Sequence, residues 1–161
     1  MQLRERLLDP YPNMTIEYDE DMPAKMGGLY ERYFEYPNGI ITITNKLNYY
    51  IQNGHLAEEI GHHETSYGDV LSFYNKQYNV DAARQELRAR RFGHKLILPL
   101  EKLIECYKKG LWGDIYEMCL HLEIDRVHFN EAIEDYKAKF GLYVRYSGYL
   151  IQFEPLKIQK L

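Results

Sequence analysis

Ile40-Ile41-Thr42-Ile43-Thr44 is a β-branched run that follows the turn-forming Pro37-Asn38-Gly39. Branching at Cβ suits a pleated surface better than a helix, so the run is expected as one strand of a hairpin. Residues 14–18 and 30–36 read as short strands ahead of it. Immediately afterwards the pattern changes. Asn45 is a candidate cap, and Leu47, Ile51, Leu56 and Ile60 recur at helical spacing, with Gly54 a weak point and a candidate true start. Gly68 and Asp69 suggest a turn. A second helix is expected over residues 81–98, rich in helix formers and ended by Pro99. Residues 100–109, 113–122 and 125–140 give further helical patterns. Residues 142–146 and 149–153 flank Ser147-Gly148 as a terminal hairpin. Strands, then helices, then strands imply an α+β fold. At 161 residues one domain over residues 1–161 is expected, with strands and the first long helices in 1–98 and a helical subdomain plus hairpin in 99–161.

The formal net charge of −4 offers no general attraction to phosphate backbones or anionic lipid, so no direct nucleic-acid partner is expected. No apolar run is long enough for a bilayer and the first residues lack a signal-peptide core, so no membrane role and a cytoplasmic location are expected. Cys106 and Cys119 form no CxxC pair, which fits a reducing compartment.

Chemistry concentrates in residues 56–63, Leu-Ala-Glu-Glu-Ile-Gly-His-His. On a helix Glu58 and His62 stand one above the other, at i and i+4, with Glu59 on the adjacent strip. This is the spacing of H-E-x-x-H, in which the first and last residues hold zinc and the glutamate between them acts on a water. Here Glu58 stands where that pattern has its first histidine. A carboxylate ligates zinc but makes it a weaker Lewis acid. By spacing alone the same residues also make an exposed charged face. His55 and His63 read as residues beside the site or on the surface, although His55, two turns before His62, is an alternative ligand to Glu58. His94, His121 and His128 read as helix-surface or interface residues, and Glu86 as a partner of Arg90 four residues on. The tyrosines near the motif, Tyr67, Tyr74 and Tyr78, are neighbours in sequence without an assigned role.

Residues 56–63, followed by Thr65-Ser66 and Gly68-Asp69, resemble the metal-site stretch of the ImmA/IrrE metallopeptidase family, in particular its short members from phages and integrative elements of Gram-positive bacteria. In that family a later helix carries a metal-binding glutamate three residues before an alanine and closes on a Leu-Leu-Met-Pro-like phrase. Glu86, Ala89, Phe92 and Leu96-Ile97-Leu98-Pro99 match it, so the resemblance spans about residues 40–100. It implies a small N-terminal sheet packed on a zincin-like motif helix. It also implies Zn2+ held by Glu58, His62 and Glu86, with Glu59 as the catalytic glutamate. The implied substrate is a helix-turn-helix repressor of a phage or mobile element. The alternatives are an antirepressor that keeps the fold and acts by contact alone, and a structural phage protein with a fortuitous motif.

Overall fold

The computed structural model describes residues 1–65 and 80–161. It is an α+β fold, as the element order implies. A short helix α1 (Leu3–Leu8) leads into strands β1 (Thr15–Asp19), β2 (Gly28–Tyr33) and β3 (Tyr36–Thr44), which form a sheet ordered β1-β3-β2. The long helices α2 (Tyr49–Thr65) and α3 (Val80–Ile97) follow, then α4 (Leu100–Lys108), α5 (Ile115–Leu122) and α6 (Arg126–Phe140). Strands β4 (Tyr143–Tyr146), β5 (Tyr149–Phe153) and β6 (Leu156–Lys160) close the chain as an antiparallel sheet. Among the described residues no helix is long and apolar enough to cross a membrane.

β3 is the middle strand because its β-branched run is covered on both faces: Ile40, Ile41, Ile43 and Thr44 are all buried. It runs parallel to β1 and antiparallel to β2. The hairpin differs from expectation. Tyr33 pairs with Tyr36, so the chain reverses at Phe34 and Glu35, and Pro37-Asn38-Gly39 lies inside β3 as a bulge opposite Arg32. Pro37 has no N–H to give a ladder and Gly39 has a φ of +89°, so both suit a bulge as well as they suit a turn.

α2 is the central helix. It runs unbroken through Gly54, and its cap is Asn48, whose side-chain oxygen accepts from the Ile51 N–H at 3.0 Å. Asn45, the expected cap, instead bonds through its backbone to Asp19. α2 is buried at nine positions, including polar Gln52, Asn53, Glu59 and His62, because the sheet, α1 and α3 pack on it and the His128 ring of α6 lies against its Gly54. One apolar cluster joins Leu3 and Leu7 of α1, Ile41 and Ile43 of β3, Leu56 and Ile60 of α2, Ile97 of α3, Leu103 of α4, Phe129 of α6 and Ile151 of β5. Two elements lie beyond the sequence expectation: α1, whose Leu3 and Leu7 are an i, i+4 buried pair, and β6, which adds a third strand to the terminal hairpin. Ser147 and Gly148, with φ of 49° and 82°, make the turn between β4 and β5 that matches strand twist. The expected turn at Gly68 and Asp69 lies outside the described residues.

Candidate metal centre

Two helices can approach closely only where side chains are small. On α2 the facing residues are Ala57 and Gly61, and on α3 they are Ala89 and Gly93, each pair four apart and so on one stripe. A Cβ built on Gly61 would lie 2.7 Å from the Ala89 carbonyl carbon, and one on Gly93 would lie 2.6 Å from the Ala57 carbonyl oxygen. These reciprocal contacts, 61 with 89 and 57 with 93, set α2 and α3 antiparallel and fix their register. Residues next to the contact are therefore brought together too.

His62, beside Gly61, meets Glu86, one turn before Ala89. Their Nε2 and Oε2 atoms are 3.0 Å apart, the imidazole 7% and the carboxylate 47% exposed. Burial pushes the His62 pKa down, but the hydrogen bond to Glu86 and the charges of Glu59, Glu86 and Glu58 outweigh it and raise it. The imidazole thus sits in an anionic surrounding that favours a cation. Glu59 is buried, and its side-chain stem rests against β2, where a Cβ on Gly28 would come within 3.1 Å of the Glu59 γ-carbon.

Glu58 faces the other way, toward α6. Its Oε1 is 3.0 Å from His128 Nε2 and its Oε2 is 3.8 Å from His55 Nδ1. Burial alone would raise the Glu58 carboxyl, but the two histidines hold it well below the usual carboxylate range. The structure therefore joins His62 to Glu86 and joins Glu58 to a different pair of histidines. Among the described residues, the trios of potential ligands whose donor atoms all lie within 4.8 Å of one another are His55, Glu58 and His128, and Glu58, His94 and Glu131.

Of the two readings the sequence left for His128 and His94, helix surface or interface, the structure has the second: both are buried between helices. Asp125 caps α6 and also takes His128 Nδ1 at 2.6 Å. His128 lies between Asp125 and Glu58. Burial would lower its pKa, yet those two carboxylates push it up to about 10. His94 lies between Asp135 (Nδ1 to Oδ2, 2.5 Å) and Glu131 (Nε2 to Oε2, 3.1 Å). These histidines escape sequence reasoning because their partners lie far along the chain; only Asp125-x-x-His128, a cap with a histidine at the third position, leaves a local signal.

That geometry sets an expected result. Without metal, a His128 pKa raised from 6.5 to about 10 stabilises the fold fully below about pH 6.5, and the benefit fades as pH rises through 10. Asp125→Asn keeps a good capping residue and removes one of the two charges, so chemical denaturation from pH 7 to 10 should show a shallower loss of stability than wild type. Asp125→Ala should cost about 1 kcal/mol more than Asp125→Asn at pH 7, the usual worth of a cap. Equal pH slopes in wild type and Asp125→Asn would show that the charge pair contributes nothing.

The remaining expected residues fall into place around this frame. His63 Nδ1 is 2.7 Å from the Tyr30 hydroxyl, next to the site and not pointed into it. Arg90 pairs with Glu131 at 3.8 Å, leaving Glu86 to His62. His121 lies 3.2 Å from Glu105, away from the motif. Tyr67, Tyr74 and Tyr78, with Ser66, lie outside the described residues. Cys106 and Cys119 are buried, free thiols, each pushed up to about 11 by burial first, so neither is a nucleophile.

Comparison with known proteins adds one finding. Neither the curated proteins nor the solved structures contain a match. The sequence profile of Peptidase_M78, the IrrE N-terminal-like domain, matches residues 20–124, which hold β2, β3, the small-residue contact and every residue of the His62–Glu86 pair and its neighbours on α2. That match covers well over half of the 161 residues, so this chain belongs to the ImmA/IrrE family and carries its metallopeptidase-type domain.

Proposed function

We propose that the chain is a zinc-dependent endopeptidase acting on a helix-turn-helix repressor of a phage or mobile element. The observation that carries this reading is the His62–Glu86 approach at 3.0 Å, made by two helices that meet through small residues. His62 and Glu86 are an imidazole and a carboxylate that suit a divalent ion, and the negative charges of Glu59 and Glu58 nearby favour a cation there. Glu58, His62 and Glu86 are the residues that would hold it, Glu58 by giving up its ion pair with His128. Zinc bound there supplies Lewis acidity, which polarises a peptide carbonyl and lowers the pKa of water.

The chain's own residues do the rest. Glu59, on the strip of α2 adjoining Glu58 and His62, accepts the proton of the attacking water and returns it to the leaving amine. Its stem is seated on Gly28 of β2. β2 is one of the two edge strands of the sheet, with β3 on one side and no strand on the other among the described residues. An extended substrate segment can pair with such an edge by its backbone, which would present a peptide bond close to Glu59. The repressor as target is carried over from the family resemblance. A reducing, cytoplasmic setting accords with the two buried free thiols.

The antirepressor reading, in which the fold blocks a partner without hydrolysis, has its own observation. Glu58, at the position of the first motif ligand, is already engaged by His128 at 3.0 Å and stands 3.8 Å from His55.

Metal content tests the leading reading. Purified wild type supplied with zinc should retain about one equivalent after dialysis, His55→Ala, which keeps Glu58, His62 and Glu86, should retain it too, and His62→Ala combined with His55→Ala should retain much less. A wild type that holds none after zinc is supplied would remove the premise of the mechanism.

A further inference from the structure

We infer that His55, Glu58 and His128 form a second divalent transition-metal site, one that uses neither His62 nor Glu86. This goes beyond the function proposed above, although it draws on one residue of that centre, Glu58.

The separations fit a metal. Zinc bonds of about 2.0 to 2.2 Å in a tetrahedron put ligand atoms roughly 3.4 Å apart. The Glu58 oxygens stand 3.0 Å from His128 Nε2 and 3.8 Å from His55 Nδ1, on either side of that value. All three donor atoms lie within 4.8 Å of one another, and the two rings stand nearly perpendicular, at 85°, with centroids 5.2 Å apart. Two imidazoles and a carboxylate are the donor set of many catalytic and regulatory zinc sites, and they also take cobalt and nickel.

The surroundings are built for these rings. Gly27, which precedes β2, has a φ of +74°, and a Cβ there would come 2.5 Å from the His55 ring. Gly54, on α2, leaves no room for a Cβ because the His128 ring lies against it. Each imidazole is therefore seated on a glycine from another part of the fold. Asp125 Oδ1, 2.6 Å from His128 Nδ1, accepts the hydrogen bond of that N–H and turns Nε2 toward Glu58. A carboxylate that orients a histidine from behind is the usual support of a metal-binding imidazole. His55 and Glu58 remain 22% and 19% exposed, which gives an ion a way in and leaves a coordination position for water or another ligand.

Glu58 belongs to both donor sets, so the two sites compete for it, and the test must disable one at a time. Glu86 is half exposed, and Glu86→Gln disables the motif centre without disturbing the core. Cobalt(II) alone is the probe, followed by its visible d–d absorption and by titration calorimetry on the full chain. Glu86→Gln should bind one equivalent, and Glu86→Gln with His55→Ala should bind at least 10-fold more weakly. His62→Ala should repeat the Glu86→Gln result. The site is overturned if Glu86→Gln binds no cobalt, or if adding His55→Ala leaves its affinity unchanged. The single His55→Ala variant separates this proposal from the function proposed above. If it keeps its equivalent while Glu86→Gln loses it, this site is absent and the motif centre stands. If the pattern is reversed, this site stands and the motif centre falls.

Discussion

Glu59→Gln is expected to cut hydrolysis of the protein substrate by about 10²- to 10⁴-fold, the usual contribution of a positioned general base, while leaving zinc content at the wild-type level. Glutamine has the shape of glutamate, so the stem still rests on Gly28 and the side chain still fills its buried place beside His62. It cannot accept a proton at neutral pH. The variant therefore removes proton transfer and leaves packing intact, which a thermal melt alongside the assay would verify. Cleavage is read by gel and mass spectrometry on the purified repressor, and metal by elemental analysis. The two function readings part here. A hydrolytic enzyme loses product formation, whereas an antirepressor acting by contact inactivates its partner equally well with or without the substitution. Unchanged inactivation by the variant would remove the peptidase mechanism even if zinc were bound.

The parts of this architecture that are legible in the sequence are those with local causes. The β-branched residues 40–44 form the central strand, and the apolar spacing from Ile51 to Ile60 forms the central helix. The pairing of His62 with Glu86 is reachable only through resemblance, since nothing in spacing by itself marks Glu86 as a ligand. Pro37-Asn38-Gly39 misleads because a bulge and a turn ask for the same residues, and only strand pairing decides between them. The orientation of Glu58 is not legible at all. His128, its partner, is 70 residues away, and a free side-chain torsion can point a helical carboxylate to either neighbour. Long-range polar contacts of this kind leave no periodic trace, which is why the sequence leaves His94 and His128 open between helix surface and interface, and only the structure shows them buried.

A stripe of small residues carries the largest structural expectation. Ala57-x-x-x-Gly61 on α2 and Ala89-x-x-x-Gly93 on α3 hold the two helices in backbone contact. Gly61→Ala adds one methyl group, but that methyl would meet the Ala89 carbonyl carbon at 2.7 Å and its oxygen closer still, and real Cβ contacts essentially never fall under 3.0 Å. A flexible side chain would swing away; a helix backbone cannot, so α3 must move as a unit. Overpacking of a close-packed interior costs about 1 to 3 kcal/mol and occasionally more, and a rigid carbonyl puts this case at about 3 kcal/mol or above. For a chain of this size that corresponds to a fall of roughly 6 to 12 °C in Tm. Movement of α3 also carries Glu86 away from His62, so Gly61→Ala, made with His55→Ala, should lose zinc affinity at the motif centre while Glu58, His62 and Glu86 remain in the sequence. Gly93→Ala, with its 2.6 Å approach to the Ala57 carbonyl oxygen, should behave similarly, because it presses on the same seam from the other side. Lys25→Ala, in the exposed turn before β2, is the control, expected within about 0.5 kcal/mol of wild type. If Gly61→Ala melts with the control, α2 and α3 do not touch through their backbones, and the geometry that brings His62 to Glu86 has some other origin.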